Sequence, residues 1–446
     1  MERVDHIIRG DFVVPMEGDG EVIADGAVAV RGAKIAAVGP YEEISSNYSS
    51  QSVVDGSGRV VLPGFVNTHT HAAMVFMRGM ADDLPLKVWL EEHVWPAENR
   101  WLGEEYINDA VELAVGEMLK AGITTFNDMY FFEYVAAEVA KRMGARAMLG
   151  AGIIDFPTKT TQGADDCLAK AERFIEKWKD DELVYPAVAP HAVYSCGPDT
   201  LRKSKALAEK HGVHIHTHAS ETEWEVEEVR KKYGKTPVAF LEEQGFLGEN
   251  VLAAHCVWVT DEEIETLARR RVGVSHCVES NLKLASGIAP VAKMLRAGVR
   301  VGLGTDGAAS NNDLNIMSEM ATAAKLHKAV SGDPTALKAR EALLMATKWG
   351  AEAIGMGSLI GSLRAGKAAD IITVDMRKLH LSPRYNVFSH LVYAARASDI
   401  DTVVVNGRIV VSGGRLLSSD EDEIIRKAMR WGEKIRAVEC GPPRSC

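Results

Sequence analysis

Eight short apolar, β-prone runs recur along the middle of this chain, each separated from the next by a helix-like or loop-like stretch. They are Val60–Asn67, Thr124–Met129, Ala145–Ile154, Val184–Ala189, Val213–Thr217, Val251–Ala254, Val272–Ser275 and Val299–Gly304. Periodic helical segments such as Tyr106–Ala121 and Ala164–Lys179 lie between them. This alternation signals parallel βα units, because parallel neighbours need a crossover and strands covered on both faces read as continuous apolar runs. Eight units in about 300 residues predict an α/β fold, a (β/α)8 TIM-type barrel. A doubly wound open sheet is the alternative architecture. No Gly-x-Gly-x-x-Gly follows the first strand and no P-loop is present, so a nucleotide cofactor is not indicated.

The two ends of the chain have another texture. Ile7–Val14, Gly26–Gly32 and Lys34–Gly39 are short β-prone segments broken by glycines. Near the C-terminus Asp370–Asp375 and Thr402–Val411 read the same way, the latter turning at Asn406-Gly407, a strong hairpin signal. A small β-sandwich domain built from both chain ends is therefore expected. Its first part would be residues 1–60, followed by a barrel over 61–364. Residues 365–446 would hold its second part and a C-terminal helix.

Hydrophobic residues are 46% and charged residues 25% of the 446, as in an ordinary globular protein. The net charge of −11 argues against a nucleic-acid or anionic-membrane partner. No secretory signal is visible, and no apolar run reaches the roughly 18 residues of a membrane span. The six cysteines, Cys167, Cys196, Cys256, Cys277, Cys440 and Cys446, form no Cys-x-x-Cys pair and read as reduced thiols of a cytoplasmic protein.

Chemistry in such barrels sits at the C-terminal ends of the strands. His69 and His71 follow the first run and, two apart on a strand, point the same way. Alone, such a pair is more often two polar residues at a strand end than a ligand pair, but His218, His255 and Asp306 close three other runs. Nitrogen and carboxylate ligands converging from four strands suit a divalent metal. On the fifth run His214, His216 and His218 share one face. Only the last reaches the active mouth, so His218 is the candidate ligand, with His216 as the alternative. Glu221, three residues on, is placed to shuttle protons, whereas Glu223, Glu225, Glu227 and Glu228 read as a solvated acidic surface.

Several motifs now carry a family resemblance. They are Pro63-Gly64-Phe65-Val66-Asn67-Thr68-His69-Thr70-His71, Ala81-Asp82-Asp83-Leu84-Pro85-Leu86, Trp95-Pro96-Ala97-Glu98 and Thr124-Thr125-Phe126-Asn127-Asp128-Met129-Tyr130. They continue with His218-Ala219-Ser220-Glu221, Ala254-His255-Cys256, Ser280-Asn281-Leu282-Lys283-Leu284-Ala285-Ser286-Gly287 and Gly304-Thr305-Asp306-Gly307. In this order, over nearly the whole chain, they resemble the 5-methylthioadenosine/S-adenosylhomocysteine deaminase branch of the amidohydrolase superfamily.

The resemblance implies one divalent metal per subunit, usually zinc, held by His69, His71, His218 and Asp306. Binuclear relatives use a lysine at the fourth strand, which here ends Ala189-Pro190-His191, so a mononuclear site is expected. Asp306 would accept a proton from the attacking water, His255 would orient that water, and Glu221 would deliver a proton to purine N1. Glu98 would accept hydrogen bonds from the ribose hydroxyls and His191 would touch the substrate. Trp89 and Trp95 fit either a substrate wall or the core of an inserted loop. The implied reaction is hydrolytic deamination at C6 of a 5′-modified adenosine, by a homo-oligomer acting on a small nucleoside.

One departure bears on the substrate. Relatives accepting S-adenosylhomocysteine are expected to grip its carboxylate with an arginine after the third strand. Residues 155–166 hold Lys159 and no arginine, which favours 5′-methylthioadenosine, 5′-deoxyadenosine or adenosine. Hydrolysis of a triazine, guanine or cytosine is the competing enzymatic reading, and a catalytically silent barrel the non-enzymatic one. Glu98 and His191 would be superfluous in the former, and a missing ligand would mark the latter.

Overall fold

The apolar run before His69 divides at Gly64. The computed structural model describes residues 1–18 and 22–440, leaving Cys446 and the end of the predicted 365–446 segment outside the described residues. In it Arg59–Pro63 pairs antiparallel with Ile371–Asp375, while the next strand, Phe65–Thr70, pairs parallel with Ile123–Tyr130. The single predicted strand Val60–Asn67 is thus two strands in two sheets. The break has a local cause: Pro63 has no N–H to donate, and a Cβ on Gly64 would lie 2.1 Å from Thr124 Oγ1.

Phe65–Thr70 (β1) begins an eight-stranded parallel sheet. Ile123–Tyr130 (β2), Arg146–Ile153 (β3), Val184–Pro190 (β4), His214–Ala219 (β5), Val251–His255 (β6), Gly273–His276 (β7) and Arg300–Leu303 (β8) follow in chain order. Each pairs with its successor. The last strand returns to the first, where the Asp306 N–H donates to His69 O at 3.0 Å and Thr68 Oγ1 to Leu303 O at 2.9 Å. The sheet is a barrel, not an open doubly wound sheet. Observed strands differ from the predicted runs by one or two residues, apart from the first. Those small shifts put His218 and His255 inside strands instead of just after them, and the first strand, running on to Thr70, does the same for His69.

The crossovers are helical, including Glu104–Lys120, Glu133–Met143, Ala164–Trp178, Pro198–His211, Asp261–Arg270 and Ile316–Ser331. Their ends follow ordinary capping chemistry. The Thr260 hydroxyl accepts the Glu263 N–H while the Glu263 carboxylate accepts the Thr260 N–H, and Gly144 ends its helix at φ +80°.

The second sheet joins both chain ends. Its strands run Arg415–Leu416, Arg408–Ser412, Ile400–Val405, Ile371–Asp375, Arg59–Pro63, His6–Val13, Ile23–Arg31 and Lys34–Pro40, with Ser52–Val54 beside His6–Val13. Asn406 and Gly407, at φ +49° and +78°, make the predicted two-residue turn. Alternation fills two layers: Ile8, Val28 and Val30 pack in one, Ile7, Ala27, Ala29 and Ile44 in the other. The C-terminal helix Glu421–Ile435 packs on Glu104–Lys120, where Trp431 Nε1 donates to Asp109 at 3.0 Å and Lys427 pairs with Glu112 at 2.8 Å. No described helix is long and apolar enough to cross a membrane.

Candidate active site

At the C-terminal mouth of the barrel the predicted groups meet. His69 Nε2 and His71 Nε2 each lie 3.3 Å from Asp306 Oδ1, and His218 Nε2 lies 3.3 Å from His71 Nε2. Outward-facing nitrogens are occupied: His71 Nδ1 donates to Met129 O at 2.7 Å and His218 Nδ1 to His191 O at 2.8 Å. That tautomer leaves each Nε2 lone pair aimed inward, as metal-binding histidines require. The buried His69 Nε2 has no hydrogen-bond partner. Neutral imidazoles around one carboxylate oxygen, with an orphaned buried nitrogen among them, fit a divalent cation.

Electrostatics agree with this donor set. Burial pushes His69 down to about 3, and burial likewise holds His71 and His218 below the ordinary imidazole value. Burial opposes ionisation of Asp306, yet the adjacent imidazoles of His69, His71 and His255 keep it well below the usual carboxylate range.

His216 sits one layer deeper, its Nε2 2.7 Å from His69 Nδ1, and does not face the Asp306 cluster. His214, at the start of β5, is on the far side of the barrel. His255 is buried with Nδ1 2.9 Å from Asn281 Oδ1 and Nε2 3.8 Å from Glu221. Burial raises Glu221 above its ordinary value, the neighbouring His255 pulling the other way. Ser220, His255 and Asp306 all have positive φ, at +53°, +72° and +60°, a strain common where side chains are aimed at a reaction centre.

Glu225 corrects the sequence reading. It is 1% exposed, and its carboxylate accepts the N–H groups of Ser220 at 3.1 Å and Glu221 at 2.7 Å. It anchors the turn that carries Glu221, while Glu223 and Glu227 are exposed as expected. The helix Glu223–Tyr233 starts at Thr222, which directs position 225 back under that turn.

A cleft opens over the cluster, lined by His71, His191, His218, Glu221, His255 and Asp306 at its base. Its cover is Leu86–Val88, Trp89–Val94 and Trp95–Trp101, which run on without a break, the middle one wound as a wider π-helix. Trp89, Trp95 and Glu98 line the cleft from this cover. The two tryptophans therefore wall the site, and Trp89 is core as well, at 6% exposure. Tyr130, named in the sequence only as part of a motif, donates to Glu98 Oε1 at 2.6 Å. Burial raises the Glu98 carboxyl to about 7. His191 Nδ1 is 2.7 Å from Ser195 Oγ, and its ring centroid is 4.8 Å from that of His218.

Sequence reasoning did not identify Ser280 and Ser310, whose hydroxyls lie 2.7 and 2.8 Å from Asp306 Oδ2. The Ser280-Asn281 pair stood within a quoted motif, and its short polar residues beside apolar ones were the available signal.

Residues 60–410 match the Amidohydrolase family, and residues 26–48 match an Imidazolonepropionase-like composite domain of bacteria. A 5-methylthioadenosine/S-adenosylhomocysteine deaminase of Thermodesulfovibrio yellowstonii is 52% identical, over 96% of this chain and 98% of its own. A 5′-deoxyadenosine deaminase of Methanosarcina acetivorans is 44% identical, over 97% and 99%. The crystal structure of an adenosine deaminase from Xanthomonas campestris with bound zinc superposes with a TM-score of 0.96 at 41% identity, covering 98% of this chain and 100% of that one. With its barrel, its outer sheet and its mouth-side histidines and aspartate in place, this chain belongs to the amidohydrolase family.

Proposed function

We propose that this protein hydrolytically deaminates purine C6 of 5′-modified adenosines, giving the inosine analogue and ammonia. His69, His71, His218 and Asp306 would hold one divalent metal, zinc being the ion bound in the Xanthomonas campestris relative. The ion supplies Lewis-acid activation of the attacking water. Asp306 accepts a proton from that water, and His255 holds it against C6. Glu221, whose carboxyl burial favours in the protonated form, gives a proton to N1 as the C6–O bond forms. Cleavage of the C6–N bond, with a proton returned to the amine, releases ammonia.

The observation that carries the nucleoside reading is Glu98. Its carboxylate lines the same cleft as Glu221 and Asp306, on the covering helix, held by Tyr130. Two acceptor oxygens there suit vicinal ribose hydroxyls, which a bare base or a triazine lacks. Trp95, Phe131, Ile154 and Phe156 continue the wall beyond Glu98 as apolar surface. Lys159 in the loop after β3 donates to Arg100 O at 3.1 Å, so small 5′ substituents are favoured over one ending in a carboxylate.

The reading includes a cytoplasmic homo-oligomer. Four buried free cysteines suit a reducing compartment, and the nearly bare Leu379 and Tyr385 suit subunit contact. Light scattering of the purified protein tests the latter, a monomer refuting it.

The deciding experiment is ammonia release from adenosine, 5′-methylthioadenosine, 5′-deoxyadenosine and S-adenosylhomocysteine by zinc-loaded protein. Turnover is expected with the first three; no ammonia from any of the four overturns the assignment.

A further inference from the structure

Asp306 is held by more than its imidazole neighbours. The N–H of Gly307 donates to Oδ1 at 2.8 Å, while the Ser280 and Ser310 hydroxyls sit on Oδ2. The carboxylate therefore has a distinct inner oxygen facing His69 and His71 and an outer oxygen solvated by two serines. Those serines come from different βα units, Ser280 from the helix Val278–Lys283 after β7 and Ser310 from the loop after β8.

Both segments are fastened to Glu319, a carboxylate with 0% exposure in the helix Ile316–Ser331. One Glu319 oxygen accepts the Asn311 side-chain amide at 2.8 Å, and that amide also donates to Thr305 O at 2.8 Å. The other oxygen accepts the backbone N–H of Glu279 at 3.3 Å. Glu279 answers in kind, its Oε1 accepting the Ser318 and Thr322 hydroxyls at 2.7 and 2.6 Å. One buried side chain thus spans the residue before Ser280 and the residue after Ser310. Burial, with Glu279 and Asp313 nearby, holds the Glu319 carboxyl well above its ordinary value, while an N–H on each oxygen, from a different unit, pulls it back.

We propose that Glu319 is a positioning residue of the active site. By clamping the two loops it presents Ser280 and Ser310 together to Asp306 Oδ2. Oδ1 is then kept turned to the imidazoles, as the oxygen that would bind the metal. A glutamine could accept at one side only and would set its own N–H groups against a donor at the other. This inference rests on Asp306 being a ligand, as read above.

The test uses the full-length zinc protein and four variants: Glu319→Gln, Glu319→Ala, the double variant Ser280→Ala/Ser310→Ala, and Val291→Ala as a buried apolar control outside the Glu319 hydrogen bonds. Zinc loss to a chelator, followed by metal analysis, needs no substrate and so stands even where the deaminase assignment fails. Steady-state kinetics are read alongside. Glu319→Gln and the double serine variant are expected to lose zinc about 10–100-fold faster and to lower kcat by a similar factor with KM unchanged. Glu319→Ala should be worse than Glu319→Gln, which keeps one acceptor. The double serine variant leaves the clamp itself whole, so it reads the effect even where Glu319→Ala does not fold. Zinc loss at the wild-type rate in the serine variant, or losses in Glu319→Gln no greater than in Val291→Ala, overturn the proposal.

Discussion

Arg146 and Asp370 form a two-pronged ion pair with side chains only 1% and 3% exposed, Nε to Oδ2 and Nη2 to Oδ1 both at 2.9 Å. Arg146 opens β3 and Asp370 precedes the outer-sheet strand Ile371–Asp375, so the pair bolts the two sheets together. The Asp370 carboxylate also accepts the Asn406 N–H at 2.8 Å. Asp370→Ala leaves a buried guanidinium uncompensated and should cost about 3–5 kcal/mol in denaturant unfolding. Activity per folded molecule should stay at the wild-type level; a variant as stable as wild type would show that the pair is not structural.

Glu221→Gln keeps the shape and the Ser220–Glu221–Glu225 turn but cannot deliver a proton. Zinc content should match wild type while kcat falls about 10²–10⁴-fold. Metal analysis paired with turnover checks it, and undiminished turnover refutes the proton-transfer role.

The two histidines of β5 should separate cleanly. His218→Ala removes a nitrogen from the Asp306 cluster and should leave the purified protein without zinc. His216→Gln disturbs only the nitrogen behind His69, and zinc affinity should fall about 10–100-fold without being lost. Competition with a metallochromic dye measures both.

Glu98 gives the expected pH dependence. With its carboxyl raised to about 7, the neutral acid prevails below that pH and the ionised acceptor above it. Nucleoside KM should therefore rise as pH falls through about 7, approaching about tenfold per unit. In Glu98→Gln that slope should vanish and KM should be high throughout; a slope that persists assigns the titration to another group.

The barrel was readable because its strands are covered on both faces and so appear as unbroken apolar runs between helices. His69, His71, His218, His255 and Asp306 were readable because they close those runs in a common direction. What stayed hidden depends on contacts between distant segments. Val60–Asn67 looks like one strand until Gly64 meets Thr124. Glu225 looks like its surface neighbours until the Thr222 cap turns it under Glu221. Ser280, Ser310 and Glu319 lie in three separate segments and acquire a role only where those converge on Asp306.

The single-residue passage at Gly64 constrains how the nucleoside enters. The strand carrying His69 and His71 continues, one residue earlier, into a strand hydrogen-bonded within the outer sheet. Any tilt of one sheet against the other would pull on both histidines at once and spread the cluster. Hinge-like breathing between the sheets is therefore incompatible with an intact site. Admission falls to the helical cover bearing Trp89, Trp95 and Glu98, whose near end is tied down by Asp82 to Lys283 at 2.7 Å and whose far end is tied by Arg100 to Glu439 at 2.6 Å. The cluster thus sits in a cup with a stiff base, and among the described residues the wall left to admit a ligand is the helical cover.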